Sequence, residues 1–273
     1  MNRRLFAALF VILFTIPVLT APAARAAQML DVMFLVDGSG SLTNSEFITL
    51  KNGTLSIANT LATGIPGAGE VPDPGNPGSF LPADLLAADL NVGLVQFSTT
   101  AQLDLGLTGD LAAVDTALTN MAQLGGQTNH AAALELAATE LATNGRIGAQ
   151  RAIILLTDGV PNETNGPSDP VTDAIIQSLL AQSNHGILIY GVAIGGQSVL
   201  DAVSNYASNP TDDFTAQVGD VGGLGAVNEP IAQALLESGL AQSAAVSAPA
   251  PLAILGLGIA GLACLRRRRS IAA

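Results

Sequence analysis

Short, nearly continuous apolar runs recur along the chain and predict the strands of a sheet. Such runs are typical of parallel strands that are covered on both faces. The predicted strands lie at 30–36, 92–97, 152–156 and 187–194, and the last three are nearly continuous in apolar residues. Residues 102–107 instead alternate polar and apolar positions, which indicates an antiparallel edge strand. A short final strand is predicted at 214–216.

Apolar residues at helical spacing fill the gaps between these runs. The predicted helices cover 45–63, 111–121, 130–143, 171–183, 198–208 and 222–240. Asn44 and Asp110 are the expected caps of the first two helices, since short polar side chains accept hydrogen bonds from free amides of the first turn. The alternation predicts an α/β fold, a doubly wound, mainly parallel sheet flanked by helices. Ligand-binding loops are expected at the carboxyl ends of its strands.

An oxygen-rich turn follows the first apolar run. Asp37, Ser39 and Ser41 alternate with glycines in Asp-Gly-Ser-Gly-Ser, so one carboxylate and two hydroxyls can face a single point. Hard divalent cations such as Mg²⁺ prefer oxygen ligands of this kind. Taken alone, the same turn is also typical of a helix cap, in which the side chains bind backbone amides.

Two further oxygen-bearing residues stand in comparable places. Thr128 follows the turn at 125–127, and Asp158 ends the apolar run at 152–156. The carboxyl ends of parallel strands meet at one edge of a sheet, so both residues are expected beside the first turn. Together they favour a metal site over a cap.

These pieces, in this order, resemble the metal ion-dependent adhesion site of von Willebrand factor type A domains, and the resemblance covers roughly residues 28–242. It implies a divalent cation, Mg²⁺ or else Mn²⁺ or Ca²⁺, with serines as direct ligands and the first aspartate acting through water. It also implies a partner whose carboxylate fills the open position on the cation. The implied metal-site residues are Asp37, Ser39, Ser41, Thr128 and Asp158.

The two histidines suggest no catalytic or zinc site. Ser39, His130 and Asp158 could be drawn as a hydrolytic triad, but the chain lacks the G-x-S-x-G motif. Two isolated histidines and one tail cysteine cannot make a structural zinc site. We therefore expect His130 to face solvent at a helix start, and His185 to stabilise a helix end before Gly186. The sequence predicts a protein that is not an enzyme.

Charge is distributed unevenly along the chain. The central part carries three bases against 22 acids, a net charge of −19. Such a surface repels phosphate backbones, which excludes nucleic acid as a partner. The three central bases are Lys51, Arg146 and Arg151, and the others are Arg3, Arg4, Arg25 and Arg266 to Arg269.

The two ends of the chain predict export and retention. Residues 1–26 have basic, apolar and small-residue regions in the order of a signal peptide, which leaves a domain at 27–242. In the tail at 243–273, an apolar run at 252–265 precedes four arginines. This tail resembles the PEP-CTERM signal recognised by exosortases, although Ala250 stands where that motif has Glu. A plain membrane anchor remains the alternative.

The segment at 64–83 is rich in proline and glycine, and we expect an exposed insertion near the sheet edge. The only cysteine, Cys264, lies in the tail, so an intrachain disulfide is excluded. Together, the patterns predict an exported, envelope-associated domain that binds a protein or polysaccharide partner through a divalent cation. The alternative is a non-catalytic structural protein of the extracellular matrix whose metal only stabilises the fold.

Overall fold

The computed structural model describes residues 28–64, 71–72, 80–81, 88–208 and 214–247. The described strands are β1 (Met29–Asp37), β2 (Val71–Pro72), β3 (Phe80–Leu81), β4 (Asp89–Phe97), β5 (Ala101–Thr108), β6 (Gln150–Thr157), β7 (Leu188–Ile194) and β8 (Thr215–Val218). Six of them form one sheet in the order β5-β4-β1-β6-β7-β8, and all neighbouring pairs are parallel except β4 and β5. The expected antiparallel edge strand is thus confirmed.

Helices cover both faces of the sheet, as the α/β prediction requires. A 3₁₀ helix at Val221–Val227 precedes the last of them. The helices are α1 (Asn44–Thr63), α2 (Leu111–Asn120), α3 (His130–Asn144), α4 (Pro170–His185), α5 (Gln197–Ser204) and α6 (Asn228–Ser247). The predicted doubly wound architecture is therefore confirmed.

Strand β1 shows how the apolar runs build two cores. Because successive side chains point to opposite faces of a sheet, Val32 and Phe34 join a core formed with α1, α6 and the 3₁₀ helix. Met33 and Leu35 join the other core, against α3, α4 and α5. Burial on both faces explains why residues 32–36 of this strand form a continuous apolar run.

Three helix predictions need correction. The cap of α1 is Thr43, not Asn44: its hydroxyl accepts from the Glu46 amide, and the Glu46 carboxylate accepts from the Thr43 amide. This reciprocal pair satisfies two amides at once, whereas a cap at Asn44 would satisfy one. Helix α5 ends before residue 208, because Ser208 turns to exchange hydrogen bonds with Ile189 of β7.

The third correction concerns the predicted helix at 222–240, which divides into the 3₁₀ helix and α6. Three glycines at 222, 223 and 225 disfavour a regular α-helix at its start. The remainder, from Asn228 onward, is helical as expected.

Some predictions fall on parts of the chain outside the described residues. These are the signal peptide at 1–26, the tail beyond 247 with Cys264, and most of the insertion at 64–83. Within the insertion, β2 and β3 form a two-residue antiparallel pair, which the sequence reading did not include. Among the helices that are described, none is both long and apolar enough to cross a membrane.

Candidate metal centre

Backbone hydrogen bonds join the loops at the carboxyl edge of the sheet. The Gly125 amide donates to the Gly38 carbonyl at 2.8 Å, and the Gly40 amide donates to the Gly126 carbonyl at 3.0 Å. Gly125 and Gly126 have φ values of 70° and 91°, a conformation that strongly favours glycine. The turn after β1 is therefore held against the loop that leads into α3.

Hydroxyl and carboxylate oxygens cluster in this edge. Ser39 Oγ lies 2.9 Å from Ser41 Oγ, and Ser41 Oγ donates to Asp158 Oδ1 at 2.7 Å. Since the single hydroxyl proton of Ser41 points to Asp158, Ser39 is the donor in the first pair. The loops after β1 and β6 thus bring three of the predicted residues into direct contact.

Asp37 lies beneath this cluster and is fully buried. Its Oδ1 accepts from the Ser39 amide at 2.9 Å, and its Oδ2 accepts from the Thr157 hydroxyl at 2.6 Å. Burial raises the pKa of Asp37 to about 6; the hydrogen bonds from Ser39 and Thr157 oppose this rise, and the charge of Asp158 adds to it. Both hydrogen-bond partners of the Asp37 carboxylate are neutral, so neither compensates its negative charge in full.

Thr128 is buried near the end of the loop that leads into α3, where it faces the loop after β6. Its amide donates to Asn162 Oδ1 at 2.8 Å, and its carbonyl accepts from the Asn162 amide at 2.9 Å. A Cβ atom on Gly159 would lie only 3.2 Å from Thr128 Oγ1, so the glycine lets the threonine approach the residue after Asp158. All five predicted residues consequently lie at the end of β1 or in the three loops that meet at this edge, and metal binding by them stays a prediction.

Neither carboxylate of the centre has a cationic partner in the described part of the chain. Both salt bridges found there are made by Arg146, which pairs with Asp31 and Asp89. The ammonium of Lys51 is held by backbone carbonyls of the α2 end. Two acids close together without a base create a negative potential that favours a cation.

The donor set fits a hard divalent cation and does not fit a soft one. Within the described ranges, no group of three or more His, Cys, Asp or Glu side chains is gathered that could hold a metal. What is gathered is serine and threonine hydroxyls with two carboxylates, the oxygen ligands that Mg²⁺, Mn²⁺ and Ca²⁺ accept. We assign the candidate site to Asp37, Ser39, Ser41, Thr128 and Asp158, which would hold the ion.

The expectation that His130 faces solvent is wrong. The ring is fully buried, and burial lowers its pKa to about 3. Its Nδ1 lies 2.5 Å from the Tyr206 hydroxyl, and its Nε2 lies 3.1 Å from Thr157 Oγ1. A helix start is normally exposed, but here the first turn of α3 is inserted between the edge of the sheet and the segment after α5.

Sequence reasoning missed Thr157 and Tyr206 as members of this edge. Thr157 directly precedes Asp158, and the parallel register opposite β1 could have suggested its contact with Asp37. No pattern signals Tyr206, because it follows α5 and reaches the site only through tertiary packing. By contrast, His185 ends α4 before Gly186, which has a left-handed φ of 62°, and its predicted place at a helix end is confirmed.

The sequence also matches a known protein family. A profile described as the von Willebrand factor type A domain matches residues 31–230. The match covers well over half of the sequence, and the chain belongs to this family.

Individual relatives are distant in sequence. The mouse protein "Collagen alpha-4(VI) chain" is 26% identical over 177 residues, which are 64% of this chain and 6% of that one. The mussel byssus proximal thread matrix protein 1, in a structure described as having a zinc-occupied MIDAS motif, shares 17% identity with a TM-score of 0.57, over 77% of this chain and 48% of that chain.

A bacterial structure agrees in size as well as in fold. The vWF domain of the type V pili tip protein Mfa5 from Porphyromonas gingivalis shares 14% identity with a TM-score of 0.57. The alignment covers 78% of this chain and 97% of that domain. At such identities the structural likeness shows the fold alone, and the chain spans only a small part of the collagen relative and about half of the mussel protein.

Proposed function

We propose that this protein binds a protein or polysaccharide partner through a divalent cation held by Asp37, Ser39, Ser41, Thr128 and Asp158. The observation that carries the proposal is the cluster of hydroxyls and two carboxylates with no cationic side chain paired to it. Pilus and matrix proteins among the similar structures agree with a binding role.

The ligand chemistry favours binding over catalysis. Serine and threonine hydroxyls are neutral ligands, so a cation held largely by them keeps much of its positive charge. Such an ion attracts an incoming carboxylate, whereas a cage of acids would neutralise it. A carboxylate of the partner, from an acidic side chain or an acidic sugar, would fill the open position. The hydroxyl of Thr157 lies 3.1 Å from His130 Nε2, but both groups are fully buried and away from any substrate, and we propose a non-enzymatic role.

The site of action is proposed from the chain ends. Residues 1–26 would direct export, and the tail at 243–273 would hold the domain at the membrane until an exosortase-like enzyme processes it, or would remain as an anchor. Arginines at the end of the tail would keep that end in the cytoplasm. The domain would then act at the cell surface or in the surrounding matrix.

A second candidate role is a structural component of the extracellular matrix whose cation only stabilises the fold. It is favoured by the matrix proteins among the relatives, namely the collagen chain and the byssal thread protein. The two roles differ in what the metal does. In the first role, a chelator abolishes partner binding at temperatures where the domain stays folded; in the second, binding is lost only with the fold.

Calorimetric titration of the domain with Mg²⁺ tests the proposal. Ser39→Ala should abolish measurable binding, because it removes one of the proposed direct ligands. Ser45→Ala is the matched control, since it removes an exposed hydroxyl that contacts only the Thr43 cap, and it should bind as the parent does. Equal affinities for Ser39→Ala and the parent would overturn the proposal.

A further inference from the structure

Four buried polar side chains form a continuous line from the second core to the candidate centre. The line runs through four fully buried residues, in the order Tyr206, His130, Thr157 and Asp37. The hydrogen-bonding atoms of consecutive residues lie 2.5, 3.1 and 2.6 Å apart. The ring of His130 stands edge-on to Tyr206, with centroids 5.8 Å apart. The members come from four separate parts of the chain, which indicates a specific arrangement and not a local turn.

We propose that Tyr206 and His130 are positioning residues of the metal centre, which direct the hydroxyl proton of Thr157 onto Asp37. The inference rests on the proposed function for its effect on the metal. Tyr206 and His130 are not among the five proposed metal ligands.

The direction of the hydrogen bonds follows from the donors available. The Thr157 hydroxyl donates to Asp37, so Nε2 of His130 carries the proton that Thr157 accepts. Nδ1 then accepts from the Tyr206 hydroxyl, which can act as donor or acceptor. Nε2–H then donates to Thr157 Oγ1. A hydroxyl oxygen accepts two hydrogen bonds, and the Gly159 amide supplies the second at 3.2 Å.

The single hydroxyl proton of Thr157 has two possible acceptors: Asp37 Oδ2 at 2.6 Å and the Gly159 carbonyl at 3.1 Å. The carboxylate is closer and carries the charge, so it receives the proton. A hydrogen bond to a carboxylate is stronger than one to a neutral carbonyl.

Asp37 is fixed by this arrangement at both oxygens. Oδ1 is held by the Ser39 amide and Oδ2 by Thr157, which orients the carboxylate plane and keeps it an acceptor. Without the Tyr206 hydroxyl, the proton of His130 can move to Nδ1. Nε2 then becomes an acceptor that competes with Asp37 for the Thr157 proton, and the orientation of Asp37 is no longer unique.

Mg²⁺ titration of four variants tests the effect on the metal. Tyr206→Phe should raise the dissociation constant about tenfold, the lower end of what a partner that orients a ligand contributes. Thr157→Val should raise it at least as much, whereas Thr157→Ser keeps the hydroxyl and should restore affinity to within about twofold of the parent. Tyr190→Phe is the matched control, because Tyr190 is buried in the opposite core, and it should leave the affinity unchanged.

A spectroscopic readout separates positioning from mere stability. Nitrogen-15 NMR of the metal-free protein should show His130 protonated at Nε2 in the parent, and a shift toward the Nδ1-protonated form in Tyr206→Phe. The Mg²⁺ titrations are carried out well below the thermal unfolding midpoint of each variant, so that a loss of stability does not appear as a loss of affinity. A loss of stability in Tyr206→Phe without any change in affinity or tautomer would overturn the inference.

The outcomes also distinguish the two proposals. A parent that binds no Mg²⁺ overturns the proposed function and, with it, the effect of Tyr206 on affinity. A parent that binds Mg²⁺ but carries the His130 proton on Nδ1 overturns the inference alone. Reduced affinity in Tyr206→Phe and Thr157→Val, with recovery in Thr157→Ser, supports both.

Discussion

Strand β1 carries a buried aspartate near its beginning and another at its end, and the two have different partners. Asp31 accepts from the Arg146 guanidinium at 2.7 Å and from the Arg146 amide at 2.5 Å. Asp37 accepts from the Thr157 hydroxyl and the Ser39 amide, and it has no salt bridge within the described residues. Both side chains are fully buried, so the difference lies in their partners and not in their exposure.

The difference separates an edge of the sheet that carries its own ion pair from the edge of the proposed metal centre. At the amino edge the chain supplies its own cation, which stays in place whether or not a ligand is present. At the carboxyl edge, neutral donors leave the charge of Asp37 only partly balanced, which is why burial dominates its pKa. Under the proposed function, an exchangeable cation supplies the missing charge, and a partner can then reach it.

Breaking the amino edge should have the largest effect on stability. Arg146→Met leaves Asp31 buried without its cation, and removal of one member of a buried pair costs about 3–5 kcal/mol. Urea unfolding measures the loss. The control, Arg151→Met, removes a base that makes no salt bridge within the described residues, and it should cost much less. Mg²⁺ affinity should stay unchanged in both variants; a loss of affinity in Arg146→Met would show that the two edges are coupled.

Removing the charge at the carboxyl edge should instead raise the stability of the metal-free fold. Because burial raises the pKa of Asp37 from 3.8 to about 6, ionisation at neutral pH costs the metal-free fold about 3 kcal/mol. Asp37→Asn removes the charge but keeps only one of the two acceptor oxygens, and the lost hydrogen bond costs about 1 kcal/mol. The variant should therefore still be more stable than the parent at pH 7 in chelator. The same variant should lose Mg²⁺ binding.

The pH dependence of this gain follows from linkage. Between pH 3.8 and about 6 the folded parent binds more protons at Asp37 than the unfolded chain does. Protonation of Asp37 therefore favours the folded state at low pH, and this stability is lost as the pH rises through 6. The advantage of Asp37→Asn should therefore shrink from pH 7 to pH 4. His130, with its lowered pKa, destabilises both proteins on acidification, and it cancels in their difference. An advantage that stays constant with pH would contradict the assignment.

The sequence alone predicts much of the carboxyl edge. The turn at 37–41, the strand-end position of Asp158 and the alternation of strands and helices are local patterns, and they predicted the edge at which five residues meet. Local signals sufficed because parallel strands place their carboxyl ends together.

What the sequence could not supply depends on long-range packing. His130 was assigned to solvent from its place at a helix start, but Tyr206 and Thr157, which bury and hydrogen-bond it, lie 76 and 27 residues away. The partner of Asp31 was equally hidden, because Arg146 is 115 residues distant. Polar residues without a motif acquire their roles only when the sheet brings them together.

The smallest predicted effect sharpens the comparison within a single guanidinium. Arg146 also pairs with Asp89 at 2.8 Å, but this carboxylate is 57% exposed. An exposed pair contributes about 0.2–1 kcal/mol, and Arg146 retains the Asp89 carbonyl at 2.7 Å. Asp89→Asn should therefore lower the free energy of unfolding by no more than about 1 kcal/mol, and 0.5 M salt should reduce that difference further. Asp31→Asn, measured in the same urea series, should cost several times as much; equal losses from the two substitutions would show that burial does not set the strength of the amino edge.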